Sequence, residues 1–302
     1  MTGAAVIDDL RAELARTDLP PVTEQKLRKL LAVLEKDSQA RLESLAMVDP
    51  GPHAVVSFGD VEAADLVIFV LHGIDTDLAH FPEWADAAQR LCVDVIRSCV
   101  ARGEPRNVAV IAWFAWDSGT HVSALATKHA TVGAARLAVD IDRLERRNPR
   151  ARIALATYSY SSTLLGELFA MNIGEDVHTA FSIASAGVTH AAGVALAEAI
   201  ARGDLVLYAT EGANDSIAPL GRLGQHPVDP RDIPGAIVYE CDGGEAPAIG
   251  GGFTVGTAVE GHASQSTTDE HGRHIGYYDE HAQGYLTMVA RLADAAIGVG
   301  VR

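Results

Sequence analysis

Arg152-Ile153-Ala154-Leu155-Ala156-Thr157-Tyr158-Ser159-Tyr160-Ser161-Ser162-Thr163-Leu164-Leu165-Gly166 opens as an apolar run of strand length. It closes on residues whose apolar members, with Leu168 and Phe169 beyond, recur at helical spacing. Between the two sits Ser159. A serine on so tight a strand-to-helix turn has its hydroxyl lifted clear of the sheet. The next backbone N–H and the helix N-terminus then face any oxyanion that forms. Such elbows are built on G-x-S-x-G, because side chains at the flanking positions crowd the neighbouring strand and helix. Here those positions hold Thr157 and Ser161, both small and neither glycine. The plain structural alternative is that Ser161 or Ser162 caps the helix. If non-glycine residues hold a strained turn, Ser161→Gly is expected to be tolerated and even slightly stabilising.

Outward from this stretch, short buried strands alternate with helices. Strands are expected at 55–58, 66–71, 108–113, 152–158, 180–184, 205–209 and 236–241. Helices are expected through Trp84, Ala88, Leu91 and Val95, up to about Arg147, after Ser159, over 191–201 and from about 281 to 296. That alternation specifies an α/β fold, a mostly parallel sheet covered by helices on both faces. Functional loops then gather at the carboxyl ends of the strands. Residues 243–261 hold seven glycines and no apolar period, and read as a mobile loop or lid. Residues 1–50 read as an N-terminal helical appendage, with stripes Ile7/Leu10/Leu14 and Leu27/Leu30/Leu31/Leu34, extended by Leu42, Leu45 and Met47. The appendage serves as packing or as a contact between copies in a homo-oligomer, and residues 51–302 form the main domain.

A chain of 302 residues with 48% apolar content can bury one large core. Its formal charge of −16 argues against a nucleic-acid or anionic-membrane partner, since both need concentrated Lys and Arg. No apolar run is long enough to span a bilayer, and the first residues lack a signal core. Cys92, Cys99 and Cys241 show neither metal spacing nor a disulfide pattern. A cytoplasmic enzyme needing no cofactor and acting on a small molecule fits these features.

The loops at the strand ends supply the rest of a candidate site. His72-Gly73-Ile74-Asp75 follows the second buried strand, where the N–H of Ile74 is a candidate oxyanion donor and that of Tyr160 the other. With such an elbow the acid and then the base follow Ser159 in the chain. Asp215, after the strand at 205–209, is the candidate acid, with Asp242 and Glu211 in reserve. An Asn-Asp turn alone would also explain it. The base must come from the histidine-rich end: His262, His271, His274 or His281. His274 lies just before the final helix, so one end of its loop is anchored; His262 is the reserve. His271 and His274 with Asp269 and Glu270 match no zinc spacing, so no metal is assigned. His72, Trp113, Trp116 and Tyr158 are candidate substrate-binding residues, with core packing as the simpler account of the tryptophans.

In this order the pieces resemble an actinobacterial α/β-hydrolase family formerly catalogued as a domain of unknown function, from about Val55 to Ala296. Val108-Ala109-Val110-Ile111-Ala112-Trp113 is similar to its V-A-V-I-A-W strand, and Thr157-Tyr158-Ser159-Tyr160-Ser161-Ser162 to its G-H-S-Y-G-S elbow. Ser185-Ala186-Gly187-Val188 resembles its S-P-G-V segment, Asn214-Asp215-Ser216 its Gly-Asp-Pro-like turn, and His274-Ile275-Gly276-Tyr277 its H-x-x-Y. The resemblance implies an α/β-hydrolase fold in which Ser159, Asp215 and His274 are nucleophile, acid and base. The chemistry expected is cleavage of an ester, thioester or activated amide through an acyl-enzyme. The alternatives are an acyltransferase or peptidase using the same three residues, a catalytically silent binding protein, and a metal-dependent hydrolase built on the histidine cluster.

Overall fold

The computed structural model describes residues 3–270 and 272–299. Helices α1 (Gly3–Leu14) and α2 (Pro21–Lys36) lead into strands β1 (Ala40–Ala46), β2 (His53–Phe58) and β3 (Leu66–Leu71). Helix α3 (Phe81–Ala101), β4 (Val108–Phe114) and α4 (Lys128–Arg147) follow, then β5 (Arg152–Tyr158) and α5 (Ser161–Ala170). Next come β6 (Val177–Ile183), α6 (His190–Arg202), β7 (Val206–Thr210), the short α7 (Ala218–Gly221) and β8 (Ile237–Val238). The chain ends with hairpins β9 (Asp242–Pro247)/β10 (Phe253–Ala258) and β11 (Thr267–Asp269)/β12 (Gly272–His274), and helix α8 (Gln283–Ile297).

The first eight strands form one sheet in the order β1-β2-β4-β3-β5-β6-β7-β8. It is antiparallel at the β1–β2 and β2–β4 pairings and parallel from β4 onward. Every residue of β3 and β4 is buried, as continuous Val/Ile/Leu-rich runs require when helices cover both faces. Alternate side chains divide between two cores. Ile68, Val70, Val110, Ala112, Ala154 and Ala156 share one core with Leu27 and Leu30 of α2, Leu91 of α3 and Leu292 of α8. Val67, Phe69, Ile111, Trp113 and Leu155 share the other with Leu137 of α4, Leu164 of α5 and Leu196 of α6. Strand β5 lies centrally in this sheet, so Ser159 leaves its carboxyl end near the middle of the rim.

Three expectations are corrected. The stretch through Leu42, Leu45 and Met47 is not helical: Ala40–Ala46 is strand β1, paired with β2 through a bulge between Leu42 and Ser44. Only Leu42 of the three is buried, and a bulge disturbs the period of two that marks a strand. A division at residue 50 therefore separates two hydrogen-bonded strands, and the leucines of α1 and α2 are spent on the core of this same chain. The strand expected over 236–241 is a two-residue edge strand, with Tyr239 N–H still reaching Ala209 O (3.1 Å). The glycine-rich 243–261 segment is not an open lid but hairpin β9/β10, seated on α8. Its glycines permit close approach: a Cβ on Gly256 would stand 2.5 Å from Gln283 Cα.

That seating is testable. Gly256→Ala must push the hairpin off α8 and is expected to cost about 1–3 kcal/mol in chemical denaturation. Gly250→Ala, with nothing within 4 Å, is expected to stay within about 0.5 kcal/mol of the parent. Equal effects would mean that the hairpin does not rest on the helix.

Candidate active site

Ser159 has φ +56°, the left-handed conformation that turns strand β5 sharply into α5. Its N–H donates to Ile183 O (2.9 Å), and its carbonyl accepts from Ser162 N–H (3.0 Å) and Ala186 N–H (3.3 Å). The two positions where an elbow usually has glycine carry hydroxyls with partners. Ser161 Oγ accepts from Tyr158 N–H (2.8 Å) and lies between the carbonyls of Tyr158 (2.9 Å) and Leu71 (3.1 Å). The Thr157 hydroxyl donates to Phe181 O (2.8 Å) and adjoins Ser162 Oγ, which accepts from Ser182 (3.0 Å). The expectation that Ser161→Gly would be harmless is thus corrected: the side chain ties β3, β5 and the start of α5 together.

His262 Nε2 lies 2.8 Å from Ser159 Oγ, and His262 Nδ1 lies 2.7 Å from Asp215 Oδ2. With Asp215 ionised, Nδ1–H donates to it and Nε2 is left to accept the serine proton. Asp215 is buried in the loop after β7, and its carboxylate accepts from several donors. Ile217 and Ala218 N–H reach Oδ1 (3.0 Å each), and the Tyr277 hydroxyl reaches Oδ2 (2.9 Å). Burial alone would raise its pKa. His262, the Ala218 N–H and Tyr277 together outweigh that and hold the carboxyl below its ordinary range. Tyr158 donates its hydroxyl to His262 O and lays its ring 5.3 Å from the imidazole, so it positions the histidine.

The structure does not bring His274 to Ser159. It sits on the β11/β12 hairpin with Nδ1 2.7 Å from Glu260 and Nε2 3.1 Å from Asp269. Those two carboxylates raise its pKa, favouring the charged form where a base must be neutral. His262 takes its place because both flanks of its loop are tied down. Val259 and Glu260 N–H bond Cys241 O and Ile275 O, and Tyr277 N–H bonds Ala263 O. His281 is exposed beside Glu280, and His271 lies outside the described residues. Among the described residues no three of His, Cys, Asp and Glu converge as metal ligands do. The reserve acids have other partners: Asp242 accepts from Ala213 N–H (2.7 Å), and Glu211 joins Arg222 and Arg231 in an ion-pair cluster. Sequence reasoning noted Tyr277 only within its H-x-x-Y and missed that it supports Asp215.

The 72–75 turn lies against the elbow: a Cβ on Gly73 would stand 3.1 Å from Ser159 Cβ, a tight contact that glycine avoids. Tyr160 N–H belongs to the first turn of α5, where backbone donors have no intrahelical partner. His72 is fully buried between Trp84, Phe114 and Trp116, with Nδ1 2.9 Å from Gly73 O, and burial lowers its pKa to about 4. His72 and Trp116 line a cavity of about 230 Å³ beside this turn. Trp113 does not reach the rim: it is buried in the core, its indole N–H donated to Asp140 on α4 (2.8 Å).

Two outcomes follow from these contacts. Ser161→Gly is expected to cost about 1–3 kcal/mol, because it leaves buried Tyr158 N–H without its acceptor. An unchanged denaturation midpoint would contradict the bonding described. Second, burial and then Arg136 lower the pKa of His53 to about 4, and burial does the same to His72, against an ordinary 6.5. The unfolded chain therefore binds more protons between those values, and stability falls as pH drops from 6.5 toward 4. Unfolding midpoints measured across that window should show the decline, and His53→Asn should make it shallower.

The alpha/beta hydrolase family profile matches residues 49–225, over half the chain. No curated protein matches. Among solved structures, the chain is similar to 2,6-dihydroxy-pseudo-oxynicotine hydrolase (12% identity, TM-score 0.50, 98% of this chain and 80% of that one). It is also similar to dienelactone hydrolase from Anabaena variabilis (13%, 0.44, 87% and 100%). At 12% identity the likeness to the first is one of fold. By the family match this chain belongs to the alpha/beta hydrolases.

Proposed function

We propose that the protein is a serine hydrolase cleaving an ester, thioester or activated amide, with Ser159 as nucleophile, His262 as general base and acid, and Asp215 as the carboxylate that orients it. One observation carries this reading: the unbroken run of hydrogen bonds from Asp215 through His262 to a serine held at φ +56°. Ser159 Oγ attacks the carbonyl carbon as its proton passes to His262 Nε2, and the new oxyanion is met by the N–H groups of Ile74 and Tyr160. Collapse breaks the bond to the leaving group, which takes the proton back from Nε2. Water then attacks the acyl-enzyme, again giving its proton to Nε2, and the acid departs as Ser159 recovers that proton. Asp215 stays ionised throughout and stabilises the imidazolium. We place the protein with the actinobacterial group that its elbow resembles, as a member whose base is His262 and not His274.

The test is the first turnover of p-nitrophenyl acetate, read as the burst of nitrophenolate. His262→Ala is expected to slow acylation by about 10⁴-fold or more, while His274→Ala leaves it near the parent rate. A burst that survives His262→Ala and vanishes in His274→Ala would sink this assignment.

A further inference from the structure

Charged residues make up 21% of this chain, yet two stretches on the carboxyl rim hold no Asp, Glu, Lys or Arg: residues 118–127 and 216–221. Each forms a single helical turn, Ser123–Leu125 in one and α7 in the other. Each, with Leu223 just past the second, exposes aliphatic side chains three residues apart, which share a face. Val122 is 82% exposed and Leu125 45%; Leu220 is 55% and Leu223 80%, with Ile217 beside them at 44%. The two turns touch. Gln225 N–H donates to Leu125 O (2.8 Å), and a Cβ on Gly224 would stand 2.9 Å from Leu125 Cα.

Both turns are also tied to the elbow. The Tyr160 hydroxyl donates to Ala126 O (2.5 Å), and His226 lies between Ala124 O and Ala186 O (2.7 and 2.6 Å). Ala186 N–H in turn reaches Ser159 O. Single exposed aliphatics need no explanation, but five on two touching turns make a patch of the kind that binds apolar ligands, and Arg222, which stands between Leu220 and Leu223, is drawn away to Glu211 and Asp229. Its direction from Ser159 matters. The leaving group must face His262, which protonates it, and His262 is walled by Tyr158 and Asp215. The turns attach instead through Tyr160 and Ala186, and it is this attachment that assigns them to the acyl group.

We propose that Val122, Leu125, Leu220 and Leu223 seat the acyl chain, so that the substrate is an ester or thioester of a medium- or long-chain carboxylic acid. This rests on the serine-hydrolase reading and adds its substrate class. Full burial of a methylene favours binding roughly four-fold, and an open face covers about half of it, so each added methylene gains roughly two-fold.

The test is kcat/KM for p-nitrophenyl acetate, butyrate, hexanoate and octanoate, with the parent and with Leu220→Ser/Leu223→Ser, both exposed positions where serine leaves the fold intact. The octanoate-to-acetate ratio is expected to be well above 10 in the parent and to fall about ten-fold in the variant, mainly through KM. A flat series, or a ratio that the variant leaves unchanged, would overturn the proposal. A dimeric parent that the variant converts to a monomer without altering the ratio would also overturn it, assigning the patch to a second copy. Calorimetric binding of octanoate to Ser159→Ala, with and without the two rim substitutions, separates this proposal from the reaction itself. Octanoate bound and then lost on rim substitution supports the seat even if no ester is turned over. Binding indifferent to the rim refutes it even if esters are cleaved.

Discussion

Ser159 holds a backbone φ of +56°, where an L side chain costs about 1–3 kcal/mol, and its surroundings are arranged to keep it there. The strand before it is locked between β3 and β6, and the helix after it is packed between α4 and α6. Where glycine would make the turn cheap, this chain uses hydroxyls that bond across it: Ser161 to Tyr158 and Leu71, Thr157 to Phe181, Ser182 to Ser162. The requirement for smallness is met instead at Gly73, on the facing turn.

The rest of the site converges on that serine from remote parts of the chain. Asp215 comes from the loop after β7, held by Tyr277 and, through Ala213, by Asp242. His262 comes from the segment after hairpin β9/β10, which is fixed because its glycines let it lie against α8. The packing of Gly256 on Gln283 and the placing of the imidazole are thus links of one chain of cause. So is the choice between histidines. An imidazole flanked by Glu260 and Asp269 on an outer hairpin has two carboxylates favouring its charged form, whereas His262 has one carboxylate and a serine.

Much of this was legible in the sequence, because continuous apolar runs such as Leu66–Leu71 and the period of helices such as α4 are set by burial on both faces of a sheet. Ser159 and Asp215 could be singled out because chain order and strand ends restrict where such groups can stand. What escaped depended on contacts between distant segments. The glycines of 243–261 read as freedom, yet Gly256 is there for close approach to α8. The bulge in β1 scrambled the alternation of Leu42 and its neighbours. An anchored loop describes His262 as well as His274, but the anchors of His262 are backbone bonds to Cys241, Ile275 and Tyr277, which no local pattern reveals.

The central claim is that one serine, made reactive by the geometry of its turn and by His262, forms the covalent intermediate. Treating the folded protein with a fluorophosphonate, then measuring intact mass and mapping the modified peptide, tests it most directly. The account predicts a single adduct on Ser159 that disappears in Ser159→Ala. An adduct on Ser161, Ser162 or another serine, or none at all in folded protein, would contradict it.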